Sequence, residues 1–253
     1  MFQFVLVALL ASTTVAAPPA SVEWPDIFEP CPRNSPDFEG CATRNIQRAL
    51  VKFSAGVPAL GVPPLDPLFA PEVLLNYKRG DAVGNMVVKN TNFYGLKDIE
   101  ILDFRANLSD SSNLVFDIDY RLPTALAEGE YKAQGKIVGF TFGGKGVYNI
   151  SMSDVTATCG VRGDLVTIDG EQYLKVRHVT VYPEVGDMKL YISNFFNDSD
   201  ELNEAALQFV NLYWRPLYKE LLPYAAEGWD QYLRGLFNKM LLRVPFRILF
   251  PEN

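Results

Sequence analysis

The chain has 253 residues, a length typical of one large domain, and 48% of them are hydrophobic, which is ample for a sizeable core. Its formal net charge of −7, with no cluster of lysine and arginine, argues against a nucleic-acid-binding protein.

The N-terminus has the pattern of a secretory signal peptide. Phe4 to Ala11 is an apolar run, and Thr14 to Ala17 is a small-residue cleavage region, although a basic first segment is missing. No later apolar run approaches the roughly 20 residues of a membrane span. We therefore expect a signal peptide at residues 1–17, one domain at 18–253, and a secreted, extracellular protein without stable membrane insertion.

The cysteines and glycosylation sequons fit an exported protein. Cys31 and Cys41 lie ten residues apart in a segment rich in proline and asparagine, as expected of a local disulfide, and Cys159 is left as a buried free thiol. Three Asn-X-Ser triplets are candidate N-glycosylation sites, of which we expect one or two to be used. They begin at Asn107, Asn149 and Asn197.

The first elements are predicted to be a short helix and an extended segment. Ala42 to Ser54 has an apolar face at helical spacing. Residues 56–68 contain four prolines and two glycines, which forbid a regular element, so we expect an apolar extended segment that lies against the body of the protein.

From Val73 to Phe196 apolar and polar residues alternate with a period of two, which predicts seven or eight long antiparallel strands with one apolar face. Glycine-rich and polar clusters predict the turns between them. These clusters are Lys78–Asp81, Ser109–Ser111, Ala127–Gly129, Gly143–Gly146, Arg162–Asp164, Asp169–Gly170 and Glu184–Asp187.

The last part of the chain has the longest helical pattern, from Asp200 to about Leu242. Pro216 and Pro223 project to its charged side, which favours one long helix, curved with its convex side toward solvent, over two or three shorter helices. Sheet and helix must bury their apolar faces against each other. The predicted fold is α+β, a long bent C-terminal helix wrapped by a strongly curved antiparallel sheet, with a short N-terminal helix.

No catalytic or metal site is predicted. Gly139 to Lys145 resembles a phosphate-binding loop, but Gly146 replaces the serine or threonine that would bind magnesium, so we expect a hairpin turn. Asp117 and Asp119 fall on the wet face of a strand, and His178 is the one histidine. We expect neither enzyme activity nor a cofactor. A sheet around a long helix is instead expected to leave an elongated apolar cavity with a few tyrosine hydroxyls.

Motifs along the mature chain, in this order and spacing, resemble the Takeout and juvenile hormone-binding protein family of insects. They are Cys31 to Cys41, Gly61–Leu68, Phe116–Tyr120, Gly129–Gly135, Gly144–Gly146, Phe196–Leu202, Asn211–Trp214 and Phe246–Glu252. The resemblance implies a tubular lipid-binding fold and extracellular carriage of juvenile hormone, another terpenoid or a fatty-acid-like molecule, without catalysis. Phe195 and Phe196 stand where a cysteine partner of Cys159 would be expected, so the chain is more similar to the Takeout branch.

The alternative function is an extracellular signalling or protein-interaction module with a solid core and no ligand. We expect a monomer whose partner is a hydrophobic small molecule, and a receptor is left open. Alternation of the strand and helix residues alone gives the cavity candidates. They are Phe116, Ile118, Tyr120, Tyr131, Met188, Leu190, Val210, Trp214, Leu217, Tyr218 and Leu221.

Overall fold

The structure is a computed structural model that describes residues 29–58, 61–137, 140–196 and 199–252. The predicted signal peptide and Asn197 lie outside these residues. The order of elements is one helix, seven strands and then the C-terminal helices, so the predicted α+β class is confirmed.

The helices are α1 (Phe38–Phe53), α2 (Asp200–Leu212), α3 (Trp214–Leu241) and the short α4 (Phe246–Leu249), with a 3-10 turn at Leu96–Asp98. α2 begins where its sequence offers a cap. The Ser199 hydroxyl accepts a hydrogen bond from the Leu202 backbone N–H at 3.4 Å, and Asp200 and Glu201 place negative charge in the first turn.

The strands form one seven-stranded antiparallel sheet. They are β1 (Leu68–Arg79), β2 (Ala82–Tyr94), β3 (Glu100–Asn107), β4 (Leu114–Ile137), β5 (Phe140–Ile168), β6 (Glu171–Val181) and β7 (Glu184–Ile192). β4 and β5, at 24 and 29 residues, run the length of the sheet. β4 pairs with β3 along its first half and β2 along its second, while β5 pairs first with β7 and then with β6.

The sheet curves around α3. β1 and β6 stand at opposite ends of the strand order β1-β2-β4-β5-β6, yet α3 packs against both. The Tyr232 hydroxyl donates to the Phe69 carbonyl of β1 at 2.8 Å, and the Asn238 amide bonds to Val176 of β6. One helix can reach both edges only if the sheet wraps around it.

The predicted long C-terminal helix is present, but it is interrupted at Tyr213, where the backbone has φ −110° and ψ 24°. Pro216 lacks the N–H that would bond to the Leu212 carbonyl, so the interruption falls one turn before this proline. Pro216 and Pro223 are both exposed, as predicted for the wet side.

Four of the predicted turns are wrong, because the clusters lie inside strands. Ala127–Gly129 belongs to β4, Gly143–Gly146 and Arg162–Asp164 belong to β5, and Glu184–Asp187 belongs to β7. At Gly144 the reason is a close approach: a Cβ there would lie 2.2 Å from the Asn194 carbonyl oxygen. The turns at Gly80–Asp81, Ser109–Ser111 and Asp169–Gly170 are confirmed.

Candidate functional site: an apolar cavity beneath the N-terminal helix

A cavity of about 280 Å³ lies between α1, the last turns of α3, α4 and the inner face of β3 to β6. This volume lies just below the range of about 300–1,000 Å³ that is usual for small-molecule pockets. The lining residues are almost entirely aliphatic or aromatic. They are Cys31, Ala42, Asn45, Ile46, Ala49, Leu50, Phe53, Val62, Leu65, Phe104, Phe116, Ile118, Val161, Leu174, Leu236, Phe237, Met240, Leu241, Ile248, Leu249 and Phe250.

Helical and strand periodicity place these side chains inward. Ile46, Leu50 and Phe53 follow steps of four and three on α1, and Leu236 and Phe237 lie four and three residues before Met240 on α3. Phe116 and Ile118 are two residues apart on β4 and so share its inner face. The cavity is thus bounded by two helices on one side and the sheet on the other.

Asn45 is the one amide among the described residues that line the cavity, and it is already occupied. Its Nδ2 donates to the Glu29 carbonyl at 2.6 Å and to Cys31 Sγ at 3.0 Å, and its Oδ1 accepts from the Glu29 N–H at 3.1 Å. Asn45 is only 7% exposed. Its polarity therefore fixes the N-terminal segment against α1, and both of its N–H groups are used in doing so.

The predicted disulfide between Cys31 and Cys41 is confirmed and forms part of the same wall. The segment that carries it is joined to the C-terminus. The Arg33 N–H donates to the Pro251 carbonyl at 2.8 Å, the Asn34 amide donates to the Glu252 carbonyl at 3.0 Å, and Arg33 also forms an ion pair with Glu252. The N-terminal segment and the C-terminal segment are therefore joined to each other next to Cys31 and Phe250, which line the cavity.

Among the predicted cavity residues, Phe116 and Ile118 line this cavity. The others lie elsewhere on the inner face of the sheet, on α2 or along α3, and Leu221 is 47% exposed. These are Tyr120, Tyr131, Met188, Leu190, Val210, Trp214, Leu217, Tyr218 and Leu221. Contact of any of them with a ligand stays a prediction.

Two of the three candidate tyrosines donate their hydroxyls to backbone carbonyls. The Tyr131 hydroxyl donates to the Ser193 carbonyl at 2.6 Å, and the Tyr218 hydroxyl donates to the Pro183 carbonyl at 2.8 Å. Burial raises the pKa of each of these two hydroxyls to about 12. Burial also raises the pKa of the Tyr120 hydroxyl.

The rejected chemical sites show ordinary structural contacts. Asp117 forms an ion pair with Arg162 at 2.8 Å and Asp119 forms one with Arg105 at 2.6 Å. His178 is exposed and lies 3.4 Å from Asp230. Cys159 is a free thiol whose pKa burial raises to about 12, which disfavours the reactive thiolate.

Two of the three predicted glycosylation sites lie within the described residues. The Asn107 side chain is exposed and accepts bonds from the Ser109 N–H and hydroxyl at 3.1 and 2.7 Å, whereas Asn149 is half-buried within β5.

Within the described ranges no group of acidic, histidine or cysteine side chains could hold a metal ion, and no helix is long and apolar enough to cross a membrane.

Sequence reasoning missed most of the cavity wall. The cavity candidates named from the sequence include no residue of α1, of the last turns of α3 or of Phe246–Glu252. A signal was available, because the i, i+3, i+4 stripe of α3 continues through Leu233, Phe237 and Leu241 to the end of the helix. The stripe does not show which of its residues border an empty space and which pack against other side chains.

The fold and the cavity together define a class of α+β protein in which an antiparallel sheet curves around a long helix and encloses an apolar space. The chain belongs to the family described as haemolymph juvenile hormone binding protein, whose model matches residues 5–251. This confirms the resemblance found in the sequence.

Three comparisons illustrate the relationship. The chain is 22% identical over 224 residues to the circadian clock-controlled protein daywake of Drosophila yakuba, covering 84% of each chain. It is 23% identical over 224 residues to a putative beta-carotene-binding protein of Schistocerca gregaria, covering 86% of each. The crystal structure of Epiphyas postvittana Takeout 1 matches with a TM-score of 0.66 and 23% identity, covering 82% of this chain and 93% of that one, which supports the fold.

Proposed function

We propose that this protein is a secreted carrier that holds an elongated hydrophobic small molecule, such as juvenile hormone, another terpenoid or a fatty-acid-like lipid, in its internal cavity. The observation that carries the proposal is the cavity itself, which is lined by apolar side chains and whose one amide is satisfied by its own neighbours. A packed-core interaction module would not need this space.

The energetics of such a site come from desolvation. Burying about 300 Å² of ligand surface contributes roughly 7 kcal/mol at about 25 cal/mol per Å². Seven kcal/mol corresponds to a dissociation constant of about 10 μM. Because the loss of translational and rotational freedom offsets part of this energy, a simple apolar probe is expected to bind no more tightly than that. No ion pair between ligand and protein is required.

Family membership and the disulfide support the extracellular part of the proposal. The family is described as a haemolymph protein family, and a relative over most of the chain is named as a putative beta-carotene-binding protein. Disulfides persist in oxidising compartments, and Cys31 and Cys41 are paired. The family is named for binding and not for catalysis.

Fluorescence titration with the neutral probe 1-N-phenylnaphthylamine tests the proposal. Leu236 lines the cavity, whereas Leu222, also half-buried on α3, does not. We expect the wild type and Leu222→Trp to bind the probe with similar affinity, and Leu236→Trp to bind it at least about tenfold more weakly because the larger ring fills the space. Absence of probe binding by the wild type, or equal binding by the two variants, would contradict the proposal.

A further inference from the structure

The outer face of the sheet carries four lysines near the end where β1 passes to β2 and β4 passes to β5. Lys132 of β4 and Lys145 of β5 lie directly opposite each other in the strand register. Lys136 follows Lys132 by four residues and is aligned through Val83 of β2 with Lys78 of β1. All four lysines are exposed, and together they are called the lysine face below.

The lysines share the outer face because side chains alternate along a strand. Tyr131 and Ala133, the neighbours of Lys132 in β4, are each 3% exposed and belong to the inner face. The Cβ atoms of directly opposite residues such as Lys132 and Lys145 are roughly 5 Å apart, and like charges in this arrangement destabilise a sheet. None of the four lysines forms an ion pair with another described residue. The fold therefore keeps unneutralised positive charge here.

The acidic side chains near the lysine face are fewer. Glu72 forms an ion pair with Lys89 at 3.1 Å, and Glu130 lies opposite the same lysine in the register. Asp81 lies in the turn between β1 and β2. Four lysines thus stand against the carboxylates of Glu130 and Asp81, so this face is positive on a chain whose formal net charge is −7. An anionic surface is attracted to this face and repelled by the molecule as a whole.

Exposed apolar side chains lie among these lysines. Leu74, Val83 and Val147 are 49%, 41% and 50% exposed. Val83 is paired with Lys136, and Val147 follows Lys145 by two residues. On a bilayer, lysines contact anionic headgroups while apolar side chains enter the boundary with the acyl chains. An anionic polysaccharide would attract the lysines but has no apolar phase for the other three side chains, so the combination favours a lipid surface.

We propose that the lysine face, with Leu74, Val83 and Val147, docks the protein reversibly onto the surface of an anionic lipid bilayer. Each lysine near such a surface contributes about fivefold in affinity. Four lysines therefore give peripheral attachment without insertion. Because the residues involved lie on the outside of the sheet, the proposal does not depend on the cavity or on a ligand in it.

Co-sedimentation of the full-length protein with lipid vesicles tests this docking. One set of vesicles contains phosphatidylcholine alone, and the other contains phosphatidylcholine with about 30% phosphatidylserine. We expect binding to the mixed vesicles at about 0.1 M salt, and at least tenfold weaker binding to phosphatidylcholine alone. Binding to the mixed vesicles should be lost at about 1 M salt, where the Debye length falls to about 3 Å.

Matched variants locate the contact. Lys132→Gln with Lys145→Gln should weaken binding to the mixed vesicles about 25-fold, because two contributing lysines are removed. Lys97→Gln with Lys239→Gln removes two exposed lysines outside the lysine face, and should stay within about twofold of the wild type. The two double variants have the same net charge, so only the position of the lysines differs. Val147→Ser should weaken binding about threefold without a change of charge.

Each contrary result overturns the docking proposal. Equal binding to the two kinds of vesicle would show that anionic lipid is not recognised, and equal binding by the two double variants would show that the lysine face is not the contact. Retention of the wild type on heparin-agarose without binding to the mixed vesicles would assign the lysines to an anionic polysaccharide instead. None of these results bears on the carrier function, which is measured by probe binding in the cavity.

Discussion

The side-chain amide of Asn238 takes the place of a missing strand beside Val176: its Nδ2 donates to the Val176 carbonyl at 3.0 Å and its Oδ1 accepts from the Val176 N–H at 2.8 Å. β6 is an edge strand, and its outward backbone groups would otherwise have no strand partner. Asn211 of α2 makes the same pair of bonds with Leu190 of β7, at 2.8 and 2.9 Å. Each helix thus uses one side-chain amide to satisfy both backbone groups of one residue at an edge of the sheet.

The first prediction concerns Asn238. Asn238→Ala leaves both backbone groups of Val176 without this partner, so the free energy of unfolding should fall by about 1–3 kcal/mol. Urea denaturation measures the loss. Gln231→Ala, an exposed change on the same helix, should stay within about 0.5 kcal/mol of the wild type. Equal stability of the two variants would show that the amide does not fasten α3 to β6.

The second prediction contrasts two glycines. A Cβ at Gly144 would lie 2.2 Å from the Asn194 carbonyl oxygen, whereas nothing lies within 4 Å of one at Gly235 in α3. Gly144→Ala should therefore destabilise by about 1–3 kcal/mol, and Gly235→Ala should stabilise by about 0.5–1 kcal/mol through helix propensity. Thermal unfolding of both variants gives the comparison, and a stabilising Gly144→Ala would mean that the connection after β7 lies farther from β5.

The contact at Gly144 also shows which features of the fold the sequence could predict and which it could not. Period-two alternation predicted the sheet, and period 3.6 predicted the C-terminal helix, because burial of one face constrains every second or every third to fourth residue. Gly143 to Gly146 was predicted to be a turn, since glycine in a local pattern signals both turns and close backbone approach. The approach is made by Asn194, about 50 residues away in the chain, and local patterns carry no information on such contacts.

The sequence predicted which strand residues face inward, but it did not predict where the cavity lies. Alternation correctly placed Phe116 and Ile118 on the inner face, but it could not distinguish an inward residue that packs, such as the buried Trp214, from one beside an empty space. That difference depends on how α1 and α4 pack against the last turns of α3. These are long-range contacts between elements whose individual patterns all indicate core.

The third prediction concerns the disulfide. Removal of the ten-residue cross-link by Cys31→Ala with Cys41→Ala should cost about 2–3 kcal/mol of stability, as expected from loop-closure entropy. Because Cys31 lines the cavity, affinity for 1-N-phenylnaphthylamine should fall as well. Denaturation and probe titration of the same sample measure both effects, and an unchanged probe affinity would separate the disulfide from the cavity wall.

The fourth prediction concerns pH. Burial raises the pKa of the Cys159 thiol from 9.0 to about 12 in the folded protein. Between these values the unfolded chain has lost this proton and the folded chain has kept it, so stability falls as pH rises from 9 towards 12. Cys159→Ala should make this alkaline loss shallower, measured by urea midpoints at pH 8 and pH 10. Identical pH slopes in variant and wild type would contradict the assignment.

The most direct test of the carrier function is native mass spectrometry of the protein purified from its natural source, followed by organic extraction of the same sample. The expected result is a one-to-one complex with a neutral, hydrocarbon-rich molecule that the solvent removes, after which the stripped protein binds 1-N-phenylnaphthylamine. Protein that carries no small molecule and binds no probe before or after extraction would contradict the account.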